Sequence, residues 1–225
     1  MGDAIGQMLT SAVGIAISPL PLIAVILMLA TPKGRANGYA FTAGWISAIA
    51  AVVTVVVLAG SGADAAGGDG PATWTLWLKL ALGALFLLLG AKQWKDRPGE
   101  GHEAATPGWM KAIDTFTPGK AAGLAVALVI ANPKNLVLAI GGAVSIASST
   151  AATGDKTVAA VLMVLIASLC ALVPLGVYLT GGERAAHVLG GWKAWMARHN
   201  TAIMTALFLV LGVKYIGDAL SGLTS

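Results

Sequence analysis

The sequence predicts an all-α, polytopic membrane protein: six transmembrane helices forming two inverted-topology three-helix repeats, with helices 1 and 4 broken at proline. Three observations carry this prediction. The chain is 57% hydrophobic and only 11% charged, roughly half the charge of a soluble domain. Its charges are separated by six apolar stretches, each close to the ~20 residues that a helix needs to cross ~30 Å of hydrocarbon. Finally, two of those stretches match each other in register over a fourteen-residue segment.

The spans follow in order. No charge lies between Asp3 and Lys33, or between Arg35 and Asp64, which defines spans one and two. Span three covers Trp74 to Gln93 and tolerates Lys79 near one end, where the long stem is expected to snorkel to the interface. Span four covers Ala121 to Ser148 but holds Lys134 near its middle. Span five covers 157–180 and contains Pro174, read as an ordinary kink. Span six covers 200–221, with Lys214 towards its far end. Span one is expected to be retained in the protein, since no basic segment precedes it and no small-residue cleavage site follows a short apolar core.

Ten of the fourteen Lys and Arg residues fall in the 1–2, 3–4 and 5–6 connections. Cytoplasmic connections carry this excess, so both termini are expected outside. Two of these connections contain aromatic stretches, Trp109, Met110, Ile113 and Phe116, and Val188, Trp192, Trp195 and Met196. Both are expected to anchor at the membrane interface.

Gly83 to Asp96 reads GALFLLLGAKQWKD, and Thr205 to Asp218 reads TALFLVLGVKYIGD; eight of the fourteen positions are identical. A Phe, a Gly, a Lys and an Asp are shared in register. Each copy also has an upstream Trp-x-x-Trp, at Trp74/Trp77 and Trp192/Trp195. Spans one and four pair through their prolines, Ser18-Pro19-Leu20-Pro21 against Asn132-Pro133-Lys134-Asn135. The expected units are therefore residues 1–98, a cytoplasmic linker with an amphipathic segment at 99–118, and residues 119–225. An odd number of spans per unit inverts the second copy relative to the first, an architecture common among alternating-access transporters.

A proline inside a helix removes a hydrogen bond and crowds the carbonyl one turn earlier. In hydrocarbon, backbone groups freed in this way must be satisfied by protein or by a cavity. Breaks at matching points of two repeats point to a substrate site near the midplane. Ser18, Pro19, Pro21, Asn132, Pro133, Lys134 and Asn135 are the candidate substrate-binding residues. An ammonium near the bilayer centre costs at least ~2.5–3.5 kcal/mol, and the spans are expected to offer Lys134 no Asp or Glu. Helix-end carbonyls alone, or an anion brought by the substrate, are the two ways to satisfy it. Lys92 and Lys214, matched by the repeat, are secondary charge candidates.

The same residues argue against other chemistry. Neither a carboxylate/imidazole cluster for a metal nor a nucleophile–base pair is visible, so no metal, no cofactor and no enzymatic activity is expected. Cys170 stands alone and is read as packing. Basic residues are dispersed, without the patch that nucleic acid requires.

Taken together, the two three-span units and the breaks at Ser18-Pro19-Leu20-Pro21 and Asn132-Pro133-Lys134-Asn135 resemble the lysine-exporter (LysE) superfamily. Within it they are most similar to the GAP or Sap group, named for addressing glycopeptidolipid and sulfolipid to the bacterial cell surface. The resemblance implies a multi-pass protein of the bacterial plasma membrane that exports or flips an anionic substrate, foremost a lipid or glycolipid. Amino-acid exporters of the superfamily typically carry Gly-Pro at the first break, where this chain has Ser18-Pro19. A small anionic solute, such as an amino acid, is the alternative cargo. A non-transporting accessory of a lipid-export complex is the alternative role, and a homodimer or a lipid-biosynthesis or export partner stays open.

Overall fold

The computed structural model describes residues 2–64, 73–95 and 113–224. Within them the chain is helical and holds no strand. The helices are α1 (Gly2–Ala16), α2 (Pro19–Leu29), α3 (Gly34–Asp64), α4 (Thr73–Lys95), α5 (Pro118–Ile130), α6 (Pro133–Ala147), α7 (Thr153–Ala167), α8 (Leu169–Thr180) and α9 (Gly182–Thr224), with a 3-10 turn at Ile113–Thr115. Three stretches are long and apolar enough to span a membrane as single helices: Gly34–Gly60, Leu76–Lys95 and Gly182–Thr224. Three bent pairs, α1/α2, α5/α6 and α7/α8, raise the number of candidate spans to six.

The bends follow from missing donors and local caps. Pro19 opens α2 and has no N–H for the Ile15 carbonyl, which accepts instead from Ser18 N at 3.0 Å; the axis turns by 46°. Pro133 opens α6 in the first position of the helix, where its ring suits the backbone. The Asn132 side chain caps that end by accepting from Lys134 N at 3.2 Å, and the axis turns by 66°.

The third bend corrects the reading of span five. Its axis turns by 54° at Ser168, between α7 and α8, while Pro174 lies inside α8. The Ser168 N–H folds back onto Val164 O and Leu165 O, and the Trp45 indole N–H donates to Ala167 O at 3.2 Å. Two further expectations also change. The 5–6 connection is not a loop: residues 183–199 form one helix with span six, so that α9 runs for 43 residues, about 65 Å at 1.5 Å per residue. Lys79 does not snorkel to an exposed position, being only 5% exposed. The 3–4 linker falls mostly at 96–112, outside the described residues, as do Trp109 and Met110.

The matched segments of spans three and six pack antiparallel against each other. Phe86 stacks on Phe208, its counterpart in the match, at 5.9 Å between ring centroids. The neighbouring glycines make reciprocal contacts, Gly90 against Phe208 and Leu209, and Gly212 against Leu87. Phe86 also stacks on Tyr215, whose hydroxyl lies 2.6 Å from Ser11 Oγ and so ties α9 to α1.

A polar junction between broken helices

The breaks of spans one and four, 114 residues apart in sequence at Ser18 and Asn132, meet in space. Ser18 is the residue before Pro19, so it sits at the start of α2 with an extended backbone (φ −65°, ψ 118°) that cannot continue α1. Lys134 and Asn135 occupy the first turn of α6. The Lys134 ammonium donates to Ser18 Oγ at 2.8 Å, and the Ser18 hydroxyl donates to Asn135 Oδ1 at 3.3 Å. The Asn135 amide donates to Leu128 O at 2.8 Å, satisfying a carbonyl in the last turn of α5. Ser18 and Asn135 are fully buried. Together these bonds form a short polar chain from Lys134 through Ser18 and Asn135 to Leu128.

Its other contact was not foreseen in the sequence. Met204 of α9 places Sδ 2.8 Å from Lys134 Nζ, yet a thioether is a weak acceptor. A buried Met in an apolar span carries no signal that distinguishes it from packing. Cys170 lies in the first turn of α8, just after the third break. Cys170 is 2% exposed and its thiol donates to Ala167 O at 3.5 Å.

Of the two ways foreseen to satisfy Lys134, bonding to helix-end carbonyls is not the geometry seen. Its side-chain partners are a hydroxyl and a thioether, both neutral. The expectation that the spans hold no carboxylate is corrected by Asp218, which lies within α9. That carboxylate is engaged elsewhere, accepting from Lys214 at 2.6 Å one turn away.

The junction has an open side. Lys134 is partly exposed and Pro133 is exposed, as are the flanking Ile17 (40%) and Ile130 (51%). Pro19 and Pro21 are buried. These prolines act by denying the backbone two N–H donors, and they present no polar atom of their own except a carbonyl.

A family model described as Sap, sulfolipid-1-addressing protein, matches residues 8–221. The chain belongs to this family. The match covers all the residues of the junction, from Ser18 to Met204. No curated protein and no solved structure matches the chain. As a Sap-family member it is a membrane protein tied to lipid addressing, with several apolar helices.

The secondary charge candidates do not join the junction of this Sap-family chain. Lys214 pairs with Asp218 and sits 5.2 Å from the centroid of the Tyr215 ring. Lys92 is exposed on the last turn of α4. Among the described residues, no group of three or more His, Cys, Asp or Glu is placed to hold a metal.

Asn135 supplies a stability test of the junction. Asn135→Ala leaves Leu128 O without its side-chain donor and Ser18 Oγ without its acceptor, each of which costs about 1–3 kcal/mol when buried. The expected result is a clear drop in the denaturation midpoint of the purified protein. A midpoint equal to wild type would show that water or backbone relaxation replaces both bonds.

Proposed function

We propose that this protein exports or flips an anionic lipid or glycolipid across the bacterial plasma membrane by alternating access at the junction of the broken spans one and four. The observation that carries the reading is Lys134: a cation in mid-span whose side-chain partners, Ser18 Oγ and Met204 Sδ, bring no negative charge. Holding an unneutralised ammonium there is unfavourable by at least ~2.5–3.5 kcal/mol. An acidic headgroup relieves that cost when it binds, so the site favours cargo that carries its own negative charge. The half-helix starts at Pro19 and Pro133 add partial positive charge on the same side.

Two features favour a lipid over a small solute. The Sap family is described by the addressing of a sulfolipid. Beside the junction, Ile17 and Ile130 present exposed apolar surface, which at mid-span depth suits an acyl chain entering sideways. A closed polar chamber would suit an amino acid better. The reciprocal contacts across α4 and α9 support two inverted repeats as the moving halves. The charge bias favours an orientation with both termini outside, and a negative-inside potential assists outward movement of an anion by about 2.3 kcal/mol per charge per 100 mV. No catalysis and no cofactor enter this reading.

Proteoliposomes test it. The purified protein is expected to speed the transbilayer movement of a fluorescent anionic glycolipid and to leave a zwitterionic analogue at the rate of protein-free vesicles. Equal rates with and without protein would remove the transport reading and favour the accessory role. The observation on that side is the helical stretch 183–199, whose exposed Trp192 and Trp195 form a surface for an export complex.

A further inference from the structure

Away from the junction, the start of α3, the end of α8 and the start of α9 form a groove of about 440 Å³ lined by Arg35, Tyr39, Tyr178, Leu179 and Gly182. Its walls follow from the sequence. Arg35 and Tyr39 are four residues apart in the first turns of α3 and so share one face. Between them Gly38 lets α3 close on α8, since a Cβ there would lie 3.2 Å from Leu175 Cδ1. That approach brings Arg35 and Tyr39 to Tyr178 and Leu179, one turn beyond Leu175. Gly182 leads the chain from α8 into α9 at φ 53°, a conformation that favours glycine.

The groove lies where two candidate spans end, Gly34–Gly60 and the bent pair that closes at Thr180. Arg35 is exposed, Tyr39 is 46% exposed and Tyr178 is half-buried, and none of these side chains has a hydrogen-bond or ion-pair partner among the described residues. Lys33 and Arg184 stand nearby in sequence against one carboxylate, Glu183, and no ion pair joins Glu183 to Arg35. Such a groove favours an anion. The planar guanidinium fork matches two oxygens of a phosphate, and the phenolic hydroxyls are free to donate to others.

From the groove, α8 carries an exposed apolar side. Leu169 (44%), Val173 (43%) and Leu179 (41%) line it together with Gly176, where nothing stands within 4 Å of a Cβ. Leu169 to Leu179 covers about 15 Å at 1.5 Å per residue, half of a ~30 Å hydrocarbon core. A soluble anion uses none of that length, whereas an acyl chain of one leaflet uses all of it.

We propose that this groove seats the phosphodiester of an anionic glycerophospholipid from the surrounding leaflet, with one acyl chain along the Leu169–Leu179 side of α8. This lipid is a bound companion of the protein and not its cargo: the site shares no residue with the Lys134 junction and stands or falls apart from the transport reading. Charge selects the headgroup. Phosphatidylglycerol brings only negative charge to Arg35, while phosphatidylcholine adds a cation beside Lys33, Arg35 and Arg184. By touching α3, α8 and α9 together, the bound lipid raises the melting point.

The test uses the full-length protein in dodecyl maltoside with dioleoyl phosphatidylglycerol, dioleoyl phosphatidylcholine and the chain-free headgroup glycerophosphoglycerol. Binding is read by native mass spectrometry and by lipid-induced thermal stabilisation, in wild type and in Lys134→Met, so that lipid at the junction is counted separately. Phosphatidylglycerol is expected to bind about tenfold more tightly than phosphatidylcholine in both proteins, and the chain-free headgroup to give no shift. Arg35→Gln, made in the Lys134→Met protein, should weaken phosphatidylglycerol several-fold and leave phosphatidylcholine unchanged. Because Arg35 is exposed and unpaired, its lipid-free melting point should hold. Arg198→Gln, exposed further along α9, is the control for general charge attraction and should bind as its parent does. Unchanged binding in Arg35→Gln, an equal loss in Arg198→Gln, or a headgroup that binds as tightly without its chains overturns the inference. A loss caused by Lys134→Met alone would assign the anionic lipid to the junction and overturn the groove site as well.

Discussion

Lys134→Met is expected to slow lipid movement in proteoliposomes by about tenfold to a hundredfold while leaving the protein as stable as wild type or more so. The two effects have opposite signs because they arise in different states. In the empty protein the ammonium is held by a hydroxyl and a thioether, and its removal relieves a cost of at least ~2.5–3.5 kcal/mol. With an acidic headgroup bound, the same ammonium makes a charge-assisted hydrogen bond worth about 1.5–3 kcal/mol, so its loss lowers the rate by about tenfold to a hundredfold. Ser18 and Asn135 keep their own bond, which preserves the junction. Transport rates and denaturation midpoints of the two proteins check both signs. A purely structural lysine would lose stability when replaced, and wild-type transport in the variant would sink its role in binding.

Gly83→Val is expected to give the largest loss of folded protein. A Cβ at Gly83 would lie 2.9 Å from Ile216 N and 3.1 Å from Gly212 O, both backbone atoms of α9, and 2.7 Å from the Ile216 side chain. Backbone of a packed helix cannot step aside as a side-chain tip can, so α4 and α9 must separate along their longest shared interface. Overpacking of this kind costs about 1–3 kcal/mol, and loss of the Phe86 stacking on Phe208 and Tyr215 adds to it. Gly217→Val, on the facing helix α9, is the control, because nothing lies within 4 Å of a Cβ there. Monodisperse yield and melting point should fall for Gly83→Val and hold for Gly217→Val. Equal behaviour of the two would mean that the α4–α9 contact does not set stability.

Both predictions rest on features with different visibility in the sequence. The paired breaks were readable because a proline acts on its own helix: Pro19 and Pro133 remove donors wherever the chain places them. The candidate residues Ser18, Asn132, Lys134 and Asn135 could be named on that basis, and the structure brings them into one junction. The bend at Ser168 is not readable, because no proline marks it, and Pro174, six residues later, lies inside α8 without breaking it. Nor was the continuity of α9. Charges at Arg184, Lys193 and Arg198 mark a connection in the sequence, yet a helix outside hydrocarbon tolerates charge freely, so charge locates the membrane boundary and not the helix end. Lys79 shows the converse, since a lysine near a span end can be buried by neighbouring helices that its own sequence does not reveal.

The sequence by itself determined the membrane class, most of the span positions, two of the three breaks and the lone cation in span four. Each depends on short-range chemistry: hydropathy over ~20 residues or a missing N–H within one turn. Only the tertiary structure decided what surrounds that cation. Ser18 and Met204 come from two other spans, and whether a lysine meets a carboxylate, a carbonyl or a thioether depends on how those spans pack. Asp218 makes the point. A carboxylate was present in the last helix, and packing gave it to Lys214, leaving Lys134 to neutral partners.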